Sequence, residues 1–215
     1  MNLFILSLNI QEIVECMFDK HIYKIILEAV QMLCTAKRVL DIEENIDSCV
    51  YKTAHLNHPC TIWVRESFAN YSWVLDLVEA MHNEWKYRYG HDDTVFHKSY
   101  IVSMYLRRNP PPLEAFEKQG MTPFALAMPE IYKDPCDPVK SYRDYYQSPE
   151  KQRIASWKRR DVPEWYKIVV STQPPRQIKK VVKNPEPLIT LRINIMGSQI
   201  TIKEYFEMRA RIFKY

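Results

Sequence analysis

The sequence predicts a mainly α-helical protein: a compact helical domain entered by a short N-terminal arm and followed by a basic C-terminal appendage with a β-hairpin candidate. Three observations carry this. Two long stretches, from about Ile10 to Leu40 and from about Thr61 to Tyr89, place apolar residues at helical spacing. The chain has three glycines in 215 residues, which argues against glycine-turned sheets and Gly-rich phosphate loops. Of its 14 prolines all but Pro59 follow residue 108, so regular structure should be long in the first half and broken in the second.

Taken in order, residues 2–8 alternate apolar and small polar positions and read as a short strand or an extended arm. The first helix runs from about Ile10 to Leu40 and breaks near Asp19, an acceptable N-cap for the apolar run behind it. Residues 41–60 are polar and acidic up to His58-Pro59-Cys60 and read as a loop. The second long helix, about Thr61 to Tyr89, meets Gly90 as its stop. A third helix at 95–106 ends before Pro110-Pro111-Pro112, and a further one carries Val139 to Tyr146. In the tail, Leu188–Ile195 and Gln199–Ile202 flank Gly197-Ser198 as a hairpin, with a last helix from Lys203. The domain reading is a helical core at 1–170 and a basic extension at 171–215.

With 47% hydrophobic residues the chain can close one real core. No apolar run approaches the roughly 20 residues of a membrane span, and the start lacks the basic flank of a signal peptide. The five cysteines are scattered and form no CxxC pair. Structural zinc is therefore not expected, nor is any other metal or cofactor, and reduced thiols fit an intracellular compartment. Net charge is uneven. Residues 1–150 hold 15 Lys and Arg against 21 Asp and Glu, and residues 151–215 hold 15 against 5, which together return the overall +4. A basic tail on a mildly acidic body points to a polyanionic partner, and equally describes a solvated tail.

Within the first long helix His21, Lys24, Glu28, Gln31 and Thr35 fall within roughly 80° of one another. From 22 to 34 every other direction is apolar or tyrosine. A surface helix usually buries a stripe and exposes the rest; this pattern predicts the reverse, a narrow polar strip on a helix otherwise buried. Unpartnered burial of such groups costs several kcal/mol, so the strip should line a cleft or meet a polar cluster. Grouped titratable residues of this kind mark a candidate functional site. The plainer alternative is an i,i+4 Lys24–Glu28 pair on a wet face. The second helix offers Arg65 and Asn70 as facing groups, and the expectation is that His21, Lys24, Glu28, Arg65 and Asn70 converge on one cleft. Arg supplies planar donors suited to phosphate. His58 is a possible acid or ligand and, more plainly, a turn residue. Trp63, Phe68, Trp73 and Leu77 read as core.

A second set interleaves rings with cations: Tyr142-Arg143-Asp144-Tyr145-Tyr146, Trp157-Lys158-Arg159-Arg160 and Pro163-Glu164-Trp165-Tyr166-Lys167. Rings stack bases and cations hold phosphates, which suits single-stranded or distorted nucleic acid. The alternative is that the three tyrosines pack a helix onto the core. Gln31, Arg65, Asn70, Arg143, Lys158, Arg159, Arg160 and Trp165 are the nucleic-acid-binding candidates.

Asp19-Lys20-His21, Glu28, Gln31 and Thr35, with Asn57-His58-Pro59-Cys60, Trp63, Arg65, Asn70-Tyr71, Arg88-Tyr89-Gly90 and Thr122-Pro123-Phe124-Ala125-Leu126-Ala127-Met128-Pro129, resemble a family of uncharacterised phage and large-DNA-virus proteins over about residues 1–166. That resemblance brings no activity. The spacing Asp19-x-His21-x6-Glu28, the His58 loop before a long helix, and Pro163-Glu164-Trp165-Tyr166-Lys167 also resemble the phage pyrimidine-dimer DNA glycosylases. This second resemblance implies a helical fold and attack on a nucleoside C1′ by the N-terminal α-amine, assisted by the helix glutamate. On that reading Met1 supplies the amine, Glu28 the carboxylate, and His21 helps hold DNA or the sugar. In the family removal of methionine exposes a small second residue, whereas Asn2 here leaves Met1 in place. The family's arginines around the glutamate are replaced by Leu27 and Gln31.

The leading expectation is a DNA-processing N-glycosylase, with or without lyase activity, acting on damaged or unusual pyrimidines. Damaged or single-stranded DNA is the expected partner, with no membrane. The catalytic candidates are Met1, Glu28, His21 and Lys24. An α-amine titrates well below a lysine side chain, so more of it is neutral near pH 7, while a lysine desolvated among Ile and Leu is the rival nucleophile. Two other classes stay open: an enzyme on free nucleotides using the same strip, and a non-enzymatic nucleic-acid-binding or virion-associated protein. The expected location is intracellular, in host cytoplasm or nucleus if viral, or in the virion.

Overall fold

A computed structural model describes residues 1–41 and 47–167, together with the backbone of two short strands in the tail. The chain divides into a unit Met1–Val169 and a unit Val170–Tyr215. In the second unit β1 (Arg192–Ile195) pairs antiparallel with β2 (Ser198–Thr201), Ile193 opposite Ile200. The helix expected from Lys203 lies outside the described residues.

The first unit is helical. It comprises α1 (Ile10–Cys16), α2 (Asp19–Leu40), α3 (Pro59–Glu66), α4 (Phe68–Tyr89), α5 (Lys98–Arg108), α6 (Pro138–Tyr146) and α7 (Pro149–Gln152), with single 3-10 turns at Leu113–Ala115 and Glu130–Tyr132. Helix α2 is central and packs on α3, α4 and α5. Among the described residues no helix is long and apolar enough to cross a membrane.

Residues 2–6 form no strand; they are buried, with Leu3, Phe4, Ile5 and Leu6 at most 3% exposed. Phe4 takes a left-handed backbone (φ 51°), costly for a residue with a Cβ. That kink sets its ring flat against His21, with centroids 4.5 Å apart, and edge-on to Tyr146 and Tyr142. Tyr142 and Tyr146 are fully buried, so in α6 the packing reading holds for these two rings.

The break near Asp19 is present with a different cap, and a second break was not expected. The first long helix divides at Met17–Phe18, and Phe18, not Asp19, is the N-cap of α2. Asp19 is drawn away: its carboxylate pairs with Arg88 and accepts from the Lys158 backbone N–H. The second long helix divides at Ser67, whose extended backbone (φ −144°, ψ 144°) pairs with Lys118 like a strand. The Ser67 hydroxyl caps α4 through the Ala69 and Asn70 amides and donates to Gly120 O. Gly90 ends α4 in the left-handed conformation, as expected.

A buried ion network ties the helices. Arg88, 2% exposed, pairs with Glu84 and Asp19 and donates to the carbonyls of Val14, Glu15 and Met17, the open C-terminal end of α1. Arg160 holds Glu84 from the other side through two hydrogen bonds. Burial opposes ionisation of Glu84, but the two guanidiniums outweigh it and its pKa is lowered. Arg88→Ala should therefore destabilise the fold by about 3–5 kcal/mol in urea unfolding, because Asp19 and the α1 carbonyls lose their partner inside the core. Arg107→Ala, which breaks solvent-exposed pairs with Asp76 and Glu79, should cost at most about 1 kcal/mol. Equal effects would show that the Arg88 network is not what joins α1 to α4.

Candidate active site at the N-terminus

The arm returns the chain start to the face of α2. The Met1 α-amino nitrogen lies 3.5 Å from Glu28 Oε2, and Lys24 Nζ lies 3.3 Å from Glu28 Oε1. One carboxylate thus faces two amines. Their settings differ: the Met1 side chain is 4% exposed, Glu28 13% and Lys24 56%. The i,i+4 pair of the plainer reading is present, with the α-amine as a third member.

Each neighbouring element is fixed from outside the cluster. The Met1 sulfur accepts from the Thr61 hydroxyl at 3.7 Å, which docks the first residue on α3. Asn2 Nδ2 donates to Ala127 O at 2.6 Å and Asn2 Oδ1 accepts from its own arm at Leu3 N. The loop before α3 is clamped to α2: Thr35 Oγ1 donates to Ala54 O and accepts from Ala54 N, and Arg38 donates to the carbonyls of Tyr51 and Val50. That loop delivers His58, whose Nδ1 accepts from Cys60 N at the start of α3, leaving the ring proton on Nε2 in the neutral form. Burial lowers the His58 pKa, the Met1 amine and His55 lower it further, and Glu28 acts against them. His58 therefore belongs to the electrostatic surroundings of the amine and the carboxylate. The sequence offered it as a loop histidine; its place just before Pro59 at a helix start is the signal for its capping role.

The other candidates separate into groups. His21 is 5% exposed, with Nδ1 2.5 Å from the Tyr146 hydroxyl and its ring on Phe4, so it seats the arm and does not face an open cleft. Gln31 is half-buried on α2. Asn70 is fully buried: Nδ2 donates to Trp63 O and Thr122 Oγ1, and Oδ1 accepts from Thr122 N, which joins the α3–α4 break to residues 120–122. Its side chain is consumed inside the protein, which corrects its assignment to nucleic acid. Arg65 Nη1 donates to Leu56 O, and among the described residues no ion pair joins it to Glu28. The expected five-residue convergence is thus replaced by Met1, Lys24 and Glu28, with His58 beside them.

Arg143 donates to Leu6 O and lies 5.1 Å from the Trp165 ring centroid, so both support the arm. Arg160 belongs to the Glu84 network. Lys158 and Arg159 are exposed; Lys158 Nζ lies over the Tyr89 ring and Arg159 donates to Tyr87 O. No group of three or more metal-ligating side chains occurs among the described residues.

The exposed face of α2 is also displaced from the expected strip. Both ends of the strip, His21 and Thr35, are buried. Between residues 19 and 35 the exposed positions are Lys20, Tyr23, Lys24 and Leu27, which lie to one side of Glu28. The apolar surround is therefore not buried at Tyr23 (41% exposed) and Leu27 (40%).

Residues 1–97 match a protein-family model described as pyrimidine dimer DNA glycosylase. No curated protein and no solved structure matches the chain. The matched span contains Met1, His21, Lys24, Glu28 and His58 and supports the resemblance to that glycosylase family; Arg143, Lys158, Arg159, Arg160 and Trp165 lie beyond it.

Burial, with smaller contributions from Lys151, Lys24, Lys20 and the Met1 amine, lowers the His21 pKa to about 3. The unfolded chain takes up this proton near the ordinary value of 6.5, the folded chain only near 3. Stability from His21 is therefore complete above pH 6.5 and falls as pH drops toward 3, by up to about 1.4 kcal/mol per pH unit. In urea unfolding between pH 6.5 and 4.5, His21→Phe should remove about one proton from the pH dependence shown by the parent chain. An unchanged pH slope would mean that His21 is accessible to protons in the folded state.

Proposed function

We propose that this chain is a DNA N-glycosylase of the pyrimidine-dimer type, with coupled lyase activity, whose nucleophile is the Met1 α-amine and whose acid–base group is Glu28. The observation that carries the reading is the 3.5 Å approach of the amine to the Glu28 carboxylate, within the span that matches the glycosylase family model. DNA is the substrate class, entering with a damaged pyrimidine nucleotide turned out of the stack.

The chemistry needs one neutral amine and one carboxylate. The amine nitrogen attacks C1′ as the C1′–N glycosidic bond breaks, and the bonding pair leaves with the base, which takes up a proton. The amine, now bonded to C1′, gives its proton to Glu28. Glu28 returns a proton to the sugar ring oxygen as the C1′–O4′ bond opens, which leaves a Schiff base between Met1 N and C1′. In the lyase step a C2′ proton is removed and the C3′–O bond breaks, releasing the 3′ phosphate. Lys24, on the other carboxylate oxygen and more than half exposed, is the rival amine. Burial of the Met1 side chain against α3 fixes the direction of its amine, and the proposal assigns Lys24 to phosphate. Gln31, Arg65, Lys158 and Arg159 are the remaining proposed DNA contacts.

Borohydride reduction on DNA carrying a pyrimidine dimer or an abasic site, followed by peptide mass mapping, tests the assignment. The expected adduct is on the Met1 amine. Acetylating that amine, or extending the N-terminus by a few residues, should abolish trapping and strand cleavage with DNA binding retained. Glu28→Gln should lower turnover at least about 100-fold. An adduct on Lys24, with activity surviving N-terminal extension, would move the nucleophile; full activity in Glu28→Gln would sink the glycosylase reading.

A further inference from the structure

A single exposed Leu on a protein surface calls for no explanation. Leu27 and Tyr23 differ because they are one helical turn apart, both about two-fifths exposed, and share a face with two lysines. Relative to Glu28, helical spacing puts Lys24 at about −40°, Gln31 at about −60°, Lys20 at about −80°, Leu27 at about −100° and Tyr23 at about −140°. Glu28 is the one carboxylate of α2 between residues 20 and 40, and it is held by Met1 and Lys24. The face is thus cationic and apolar with no free acid on it. It continues off the helix: Tyr23 meets Tyr89 edge to face, and exposed Lys158 sits 4.8 Å over the Tyr89 ring. The acid beside it, Asp19, one turn before Tyr23, is paired with Arg88 and accepts from Lys158 N, and Asp93, beyond Gly90, is paired with Lys86.

We infer that Leu27, supported by Tyr23, is a wedge that enters the base stack of duplex DNA and fills the gap left when the reacting nucleotide turns out toward Met1 and Glu28. The inference rests on the glycosylase reading and deepens it by naming what the site does to the rest of the duplex. Three features select DNA as the occupant. Lys20, Lys24 and Lys158 surround the apolar pair with charge complementary to phosphates. Lys24, paired with Glu28 and lying between it and Leu27 around the helix, joins the proposed acid–base group to the patch, so the stack neighbours of a nucleotide at Glu28 extend toward Leu27. An apolar side chain between base steps is a means by which proteins stabilise an unstacked duplex. A compact aliphatic side chain suits the opened step, and the ring at Tyr23 suits the face of the next base.

The test separates opening of the stack from general affinity and from chemistry. Fluorescence anisotropy is measured on a duplex bearing a tetrahydrofuran abasic analogue, which cannot form a Schiff base, and on the same lesion strand alone. Leu27→Ala and Leu27→Gln should each weaken duplex binding on the order of tenfold, the scale of one lost base contact, and leave single-strand binding within about twofold. Leu27→Met should keep duplex binding, and Tyr23→Ala should show a smaller, duplex-selective loss. Unchanged helical circular dichroism establishes that the variants fold, as expected for positions open to solvent. Equal losses on duplex and single strand, or no loss on duplex, would overturn the wedge. If Met1 is still trapped on abasic DNA, the wedge fails alone; if the parent chain binds neither DNA, the wedge and the glycosylase reading fail together.

Discussion

Burial of Leu3, Phe4, Ile5 and Leu6 decides where the N-terminus emerges, and the candidate site exists only because of that placement. A free α-amine ordinarily sits on a chain end that samples solvent. Here each of the four apolar residues contributes about 1.5–3 kcal/mol on burial, roughly 6–12 kcal/mol together before the entropy of ordering the arm is subtracted. No strand ladder supports the arm, so side-chain hydrogen bonds with distant elements take that part: Asn2 donates to Ala127 O and Arg143 to Leu6 O. The left-handed turn at Phe4 is a local cost, of order 1–3 kcal/mol, accepted because it puts the ring among His21, Tyr142 and Tyr146. His21 is thus tied to the amine through the arm, and the charge of that amine is among those that lower its pKa.

Helix α2 serves three surfaces at once, and this explains its odd composition. Its fully apolar side packs into the core. Its Thr35 and Arg38 end clamps the loop that delivers His58. Its Lys20 to Gln31 side is open, with Glu28 at the border between interior and solvent. A border position suits the proton transfers proposed for this carboxylate: it is buried enough to be held by two amines and is still partly open to solvent.

The long helices, the loop before α3, the Gly90 stop and the grouping of Lys24 with Glu28 were legible because each rests on local spacing. The break at Ser67 was not, and at the break near Asp19 the capping residue was misread. A serine inside a helical pattern looks tolerable, and only pairing with Lys118, far along the chain, makes its extended backbone favourable. Asp19 looked like an N-cap because short-range propensity favours it; a buried arginine 69 residues away outbids the cap. Arg160 likewise read as a nucleic-acid contact, because its partner Glu84 lies 76 residues away. Asn70 was misassigned for the same reason: a polar residue on a helix resembles a ligand-binding group, and its real partner, Thr122, is 52 residues away. Proximity of Met1 to Glu28 followed from the resemblance, not from spacing, since nothing local requires an arm to fold back along α2.

The site then gains rigidity from parts that never touch it. Met1, Glu28, Lys24 and His58 come from three segments, the arm, α2 and the start of α3, and these are joined by contacts away from the cluster. Asn2 is held at Ala127, the loop at Thr35 and Arg38, and α3 at its far end through Asn70 and Thr122. A reaction in which the nucleophile is the chain terminus has the most flexible group in a protein as its most demanding part, and misplacement by about 1 Å can cost a hundredfold in rate. On the proposed reaction, anchoring Met1 by its own buried side chain as well as by Asn2 answers that demand: the methionine stem gives the first residue a second point of attachment, at Thr61 on α3.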